Sequence, residues 1–324
     1  MNEKIYQLLL SMLRIRRVEE EIAGRYGEGK MRCPTHLSIG QEAVGAALGI
    51  ALQKSDFVVS SHRAHAHYLG KGGDLSRMLA EIHGKEAGCS SGLGGSMHLA
   101  DPDVGFMGST AIVANSIPIG VGLGFSAQLK SSQQVSCCCF GDGAVEEGAF
   151  YESANFAVLK KLPVLFLCEN NLYSVYSPMK VRQPEGRKIY QLAKAIGLHS
   201  QMVDGNDGEA VLTAIEEAAQ RARAGEGPSF IEFSTYRWRE HCGPNYDNDI
   251  GYRSVREFEE WKEQDPIVRL KQVLDAQAVI TEDYERQLQL LDQEVNEAFE
   301  FAEKSVFPMV DSHYQHLYSS GESS

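Results

Sequence analysis

The sequence contains no Cys-x-x-Cys pair, so no thiolate cluster of zinc-site spacing is available. It has no G-x-x-x-x-G-K-[ST] loop, which weighs against a magnesium-nucleotide module of the Walker type. It also lacks an apolar run long enough to cross a bilayer. The short stretch Leu8–Leu13 leads directly into Arg14, Arg16, Arg17 and Glu19–Glu21, which reads as an amphipathic helix rather than a signal peptide. Basic residues are the minority: 31 Lys and Arg against 44 Asp and Glu give a net charge of -13. That balance argues against nucleic-acid and anionic-membrane partners. Seven cysteines are an odd number. Cys137, Cys138 and Cys139 are contiguous in a predicted strand, where neighbours face opposite ways, so they read as small buried apolar groups of a reducing compartment. The expectation is a cytoplasmic protein without disulfides.

What is present is a rhythm. Across 324 residues, 43% of them hydrophobic, helical and strand patterns alternate without an internal repeat or a linker. Helices are predicted near 2–27, 40–53, 76–84, 115–130, 145–160, 208–224 and 281–305. Buried strands are predicted at Phe57–Ser60, Val135–Phe140, Pro163–Cys168 and Phe230–Ser234. Such alternation implies an α/β fold, a doubly wound and mostly parallel sheet with helices on both faces, forming one domain over residues 1–318. Ser319–Ser324 is expected to be a disordered tail. The glycine-rich stretch Gly88–Gly95 and the polar stretch Arg237–Arg253 fit neither pattern and read as ordered functional loops.

The chemistry concentrates around Cys139-Phe-Gly-Asp-Gly-Ala-Val-Glu-Glu-Gly148. An aspartate between two glycines ends a buried strand, residues 144–169 hold one helix and one strand, and Asn170-Asn171 ends that second strand. A right-handed crossover brings both strand ends to one rim, where open α/β sheets bind ligands. Directly paired strands lie about 4.8 Å apart, so Asp142 and Asn171 arrive together. A carboxylate and a side-chain amide form an oxygen pair suited to Mg2+. A helix beginning at Ala144 would aim its N-terminal amides at the same place and favour phosphate. A lone Gly-Asp-Gly is commonly a plain turn; the spaced conjunction is far more specific.

These motifs resemble the thiamine-diphosphate motif. The wider text resembles the alpha subunit of the decarboxylating component of 2-oxo acid dehydrogenase complexes of the pyruvate, acetoin or branched-chain type. The resemblance rests on Met12-Leu-Arg-Ile-Arg-Arg-Val-Glu-Glu20, His36-Leu-Ser-Ile-Gly-Gln-Glu-Ala43, Arg63-Ala-His65, Gly94-Gly-Ser-Met-His98, the Gly141–Asn171 segment, and Tyr236-Arg237 leading to His241. It implies Mg2+ ligated by Asp142, Asn171 and the backbone carbonyl of Tyr173. It implies a diphosphate lined by Gly143 and Ala144 and paired with Arg63. His62 stands where the family often has tyrosine. Ala111, in place of a more usual glycine, and Val113 match contacts to the aminopyrimidine. His36 matches a catalytic histidine facing the 2-oxo acid, and His241 one that contacts the diphosphate and orders its loop. Cys242 follows His241 where mammalian relatives carry a regulatory serine. The remaining histidines (His67, His83, His98, His199, His313, His316) read as core or surface groups, and His65 as structural or functional in equal measure.

The resemblance further implies that the glutamate activating the pyrimidine ring belongs to a separate beta subunit. The expected assembly is an α2β2 heterotetramer that passes its acyl group to a lipoyl acyltransferase. Two alternatives are the diphosphate-binding half of a split transketolase and a specialised acyl-transferring relative from a biosynthetic cluster. The His36–Ala43 and Met12–Glu20 texts favour the dehydrogenase.

Overall fold

In a computed structural model, residues 2–279 and 283–310 are described. His313, His316 and the Ser319–Ser324 tail lie outside them. Among the described residues eight strands follow one another: β1 (Phe57–Ser60), β2 (Phe106–Ser109), β3 (Ser136–Gly141), β4 (Val164–Asn170), β5 (Tyr173–Ser174), β6 (Ser177–Pro178), β7 (His199–Asp204) and β8 (Ser229–Ser234). Six of them form a parallel sheet in the order β2-β1-β3-β4-β8-β7, and β5 with β6 makes a small antiparallel pair. β3 and β4 pair directly, with Gly141 opposite Glu169. The chain order reverses between β1 and β3, so a crevice opens there beyond the strand ends.

The inner strands are buried and mostly apolar because both of their faces are covered. Cys137, Cys139, Leu165, Leu167, Ile231 and Phe233 join one core, with the helices Asn2–Arg25, Glu42–Ala51, Gly208–Arg223 and Asp283–Lys304. Cys138, Phe140, Val164, Phe166, Cys168 and Phe230 join the other, with the helices Ser116–Leu129, Gly148–Lys160 and Ile189–Ile196. The cysteine run alternates between the two cores, and all seven cysteines are free thiols. The expected doubly wound fold is therefore present. No helix among the described residues is long and apolar enough to cross a membrane.

One helix start requires correction. The chain after Asp142 does not enter an α-helix at Ala144. Residues Asp142–Glu146 form a 3-10 helix, Glu147 is extended at φ -85° and ψ 142°, and the α-helix begins only at Gly148. The amides nearest the sheet rim belong to the 3-10 turn. Further elements escape the sequence pattern, the helices Val255–Lys262 and Pro266–Ala276 among them. β2 and β7 are short or edge strands without a continuous apolar run, and the helices His65–Gly70 and Ile189–Ile196 are too brief for a clear period.

Candidate active site

The crevice at the strand ends is a cavity of about 170 Å³, and every site residue singled out above lines it: His36, His62, Arg63, Ala111, Val113, Asp142, Gly143, Ala144, Asn171, Tyr173 and His241. They arrive from the ends of β1, β2, β3 and β4 and from the loops holding His36 and His241.

Asp142 is buried, and Arg182 places Nη2 on its Oδ2 while Nη1 of Arg182 reaches Glu146. Burial pushes the Asp142 carboxyl above its usual range, and Arg182 pulls it back. Asn171 is fixed from both sides: its Nδ2 donates to Oε1 of Gln41 at 3.1 Å, and its Oδ1 accepts from the Tyr173 amide at 3.2 Å. That leaves a lone pair on Oδ1 for a cation. Asn170, one residue earlier, points the other way and donates to Glu232 at 2.7 Å, so only the second asparagine serves the site. Leu172 (φ 72°), Val175 (φ 54°) and Ala114 (φ 64°) all hold left-handed backbone beside the cavity, a costly conformation for residues with side chains. The Val175 carbonyl is clamped by Nη2 of buried Arg237 at 2.9 Å. Gly143 has no positive φ; a Cβ there would meet Oγ of Ser174 at 2.7 Å, so the close approach of β5 explains the glycine.

This donor set fits Mg2+: one carboxylate, one amide oxygen and the adjacent Tyr173 residue, all oxygen ligands at one rim. It also fits a diphosphate. Arg63, buried, donates to the carbonyls of Leu37 (2.6 Å) and His241 (3.2 Å), and its guanidinium carries five donors in all.

The residues of the His36–Ala43 segment have separate partners. His36, Gln41 and Asn171 face the cavity. The Ser38 amide donates to both Glu19 oxygens at 2.9 and 2.7 Å, and buried Glu42 binds Arg16. Gly40 takes φ 96° where a Cβ would strike the Tyr236 carbonyl at 2.5 Å. The charges of Met12–Glu20 thus anchor the loop that presents His36, and Glu20 also binds Arg239 of the later polar loop. That loop is ordered: Arg253 binds Asp247 and donates to the carbonyls of Arg237 (2.7 Å) and Trp238 (3.0 Å).

Sequence reading missed four contributors. Gln41 and Glu169 line the cavity, and Nε2 of Gln41 donates to Oε1 of Glu169 at 3.4 Å. His67, read as a bland histidine, is buried beneath them; its Nε2 lies 3.0 Å from Oε2 of Glu169, misaligned for a hydrogen bond, and its Nδ1 meets Oγ of Ser60 at 2.8 Å. Arg182 is the fourth, and no spacing signal marks it. His65 does not line the cavity; it is buried against Ser96 at 2.8 Å and Glu19 at 3.2 Å.

Residues 10–311 match the family model for the dehydrogenase E1 component. The alpha subunit of the pyruvate dehydrogenase E1 component from Rickettsia bellii is 36% identical over 317 residues, 98% of this chain and 96% of that protein. The proteins of the same name from Porphyra purpurea and Rhizobium meliloti are each 36% identical, over 98% and 94% of this chain and 93% and 86% of their own lengths. This chain belongs to the dehydrogenase E1 component family, as an alpha subunit of the thiamine-diphosphate-dependent 2-oxo acid dehydrogenase type.

Proposed function

We propose that this chain is the diphosphate- and Mg2+-binding subunit of an enzyme that decarboxylates a small 2-oxo acid, pyruvate in the first instance. The observation that carries this reading is the convergence of all eleven site residues, from segments spread between His36 and His241, on one cavity. Pyruvate is favoured by the names of the relatives. In this reading Asp142, Asn171 and the Tyr173 carbonyl hold Mg2+, and Arg63, Gly143, Ala144 and His241 receive the diphosphate. Bound thiamine diphosphate supplies a nucleophilic ring carbon and the electron sink for loss of CO2.

His36 is the catalytic residue nearest the substrate. Burial, then Arg63, lowers its pKa to about 2, so the ring is neutral at pH 7 and offers one N–H and one lone pair. Its Nδ1 is buried without a hydrogen-bond partner, which leaves that atom to bind the 2-oxo acid or to hold a proton. His241, also kept neutral by burial and Arg63 with a pKa of about 3, serves the diphosphate and the loop. Ala111 and Val113 line the aminopyrimidine side.

Exposed apolar side chains stand at the cavity: Val113 and Val175, 48% and 44% exposed, line it, and Ile112 and Tyr176 beside them in the chain are 64% and 47% exposed. Scattered exposure is ordinary, but here it rims the site. It suits a beta subunit closing over the cofactor in an α2β2 assembly, with a lipoyl acyltransferase as acceptor. Co-expression with the beta subunit should yield pyruvate decarboxylation that requires both Mg2+ and thiamine diphosphate. Decarboxylation by the isolated chain would overturn the two-chain site, and ketol transfer from a sugar phosphate would favour the split-transketolase reading.

A further inference from the structure

Glu169 and Asn171 stand two residues apart, at and just past the end of β4, and both reach the cavity. Asn170 between them faces Glu232 instead. One side chain bridges the pair. Gln41 accepts the Asn171 Nδ2–H on its Oε1 at 3.1 Å and donates its own Nε2–H to Oε1 of Glu169 at 3.4 Å. Behind Glu169 lies His67, with Nε2 3.0 Å from the other carboxylate oxygen and Nδ1 2.8 Å from Oγ of Ser60 at the end of β1. Ser60, His67, Gln41 and Glu169 are all buried, and the charge of Arg63 faces the Glu169 carboxylate and offsets it.

An amide side chain has a donor end and an acceptor end of nearly the same shape, so its flanking groups decide which way it points. Here both ends of the run are decided. The Tyr173 backbone amide can only donate, which holds Oδ1 of Asn171 towards it at 3.2 Å and sends Nδ2 to Gln41. A carboxylate can only accept, which turns Nε2 of Gln41 to Glu169 and leaves Oε1 for Asn171. The same rule puts the His67 proton on Nε2, where a small turn of the ring aligns it with Glu169, and Nδ1 then accepts from the Ser60 hydroxyl. Given the reading of Asn171 as a Mg2+ ligand, we propose that Gln41, Glu169 and His67 are its positioning residues. They fix the amide so that its oxygen, and not its NH2 group, faces the incoming cation. A reversed Asn171 would present N–H donors to an ion that binds oxygen. Glu169 is the anchor, because the donors on both sides of it point to its carboxylate.

Two measurements test this. In the full chain in metal-free buffer, histidine-selective nitrogen NMR, with His67→Asn to identify the signals, should find the His67 proton on Nε2 and Nδ1 bare. A proton on Nδ1 would overturn the polarity. In the complex with the beta subunit, at saturating thiamine diphosphate, Mg2+ is titrated calorimetrically. Gln41→Leu should weaken Mg2+ roughly 10–100-fold, the cost of losing a ligand's supporting hydrogen bond. Glu169→Gln keeps an acceptor for Gln41 and should hold most of the affinity, whereas Glu169→Leu should lose as much as Gln41→Leu. Asn171→Leu separates the positioning role from the metal reading. If it too binds Mg2+ normally, Asn171 is no ligand and the metal reading fails; if it alone loses Mg2+, only the positioning role fails. Melting curves in metal-free buffer screen for lost folding, and Gln41→Met stands in for any of the leucine variants at Gln41 or Glu169 that does not fold.

Discussion

Arg182 seats one guanidinium nitrogen on Oδ2 of Asp142 and the other on Glu146, so the carboxylate expected to bind a metal already has a cationic partner from a helical turn some forty positions away. Both side chains are nearly enclosed, at 9% and 2% exposure for Arg182 and Asp142. A cation entering at Asp142 must share or displace that guanidinium. In Arg182→Ala the buried carboxylate is left unpaired, which should lower stability by about 3 kcal/mol in metal-free buffer. Mg2+ should restore most of the loss, and Asp142→Asn in the same chain should do so without Mg2+. Denaturant unfolding of wild type and the two variants with and without Mg2+ checks this; an Arg182→Ala chain as stable as wild type without Mg2+ would contradict it.

Glu81 organises the glycine-rich loop. Its carboxylate is buried and accepts the amides of Ser90 and Gly92 at 2.8 Å, Gly94 at 2.6 Å and Gly95 at 3.0 Å. Bonds to a charged acceptor contribute about 1.5–3 kcal/mol each, and the four are coupled. Glu81→Ala should therefore destabilise the chain by at least about 3 kcal/mol and open the loop to protease near exposed Leu93. Equal rates of cleavage in wild type and variant would show that the loop is held by something else.

Gly143 tests the cradle sterically, without backbone strain. Gly143→Ala should cost about 1–3 kcal/mol by overpacking, because the new Cβ meets Ser174 at 2.7 Å. Thiamine diphosphate affinity should fall with it. Ser174→Gly removes the opposing side chain and should return both quantities most of the way. Thermal melting and calorimetric titration of the double-mutant cycle measure the coupling.

The three neutral imidazoles give a pH dependence of definite sign. In the folded chain His36, His62 and His241 take up protons only near pH 2, 4 and 3, whereas unfolded histidine does so near 6.5. Below about pH 6.5 the unfolded chain binds more protons, so stability present at neutral pH falls as the pH drops towards about 4. Replacing His62 by Gln removes one such group and should flatten the slope by up to about 1.4 kcal/mol per pH unit. Urea unfolding at pH 7 and pH 5 reads the difference; an unchanged slope would mean that His62 titrates normally in the fold.

The sequence by itself carried the sheet interior and the set of residues that reach the crevice. Apolar runs such as Val164–Cys168 can only be covered on both faces, and an aspartate and an asparagine closing consecutive parallel strands must reach one rim, because strand pairing is local and directional. Edge and short elements were illegible: β7 mixes exposed and half-buried residues with no fully buried one, and the helix after Asp142 is delayed to Gly148 by an extended Glu147 that no residue type announces. Tertiary structure alone decided the partners. Arg182 on Asp142, Gln41 on Asn171, Glu81 beneath the glycine loop and three histidines from remote segments within 5.3 Å of one another are all long-range pairings. Buried polar groups must find a counterpart wherever the fold supplies one, and that choice has no periodicity for a sequence to display.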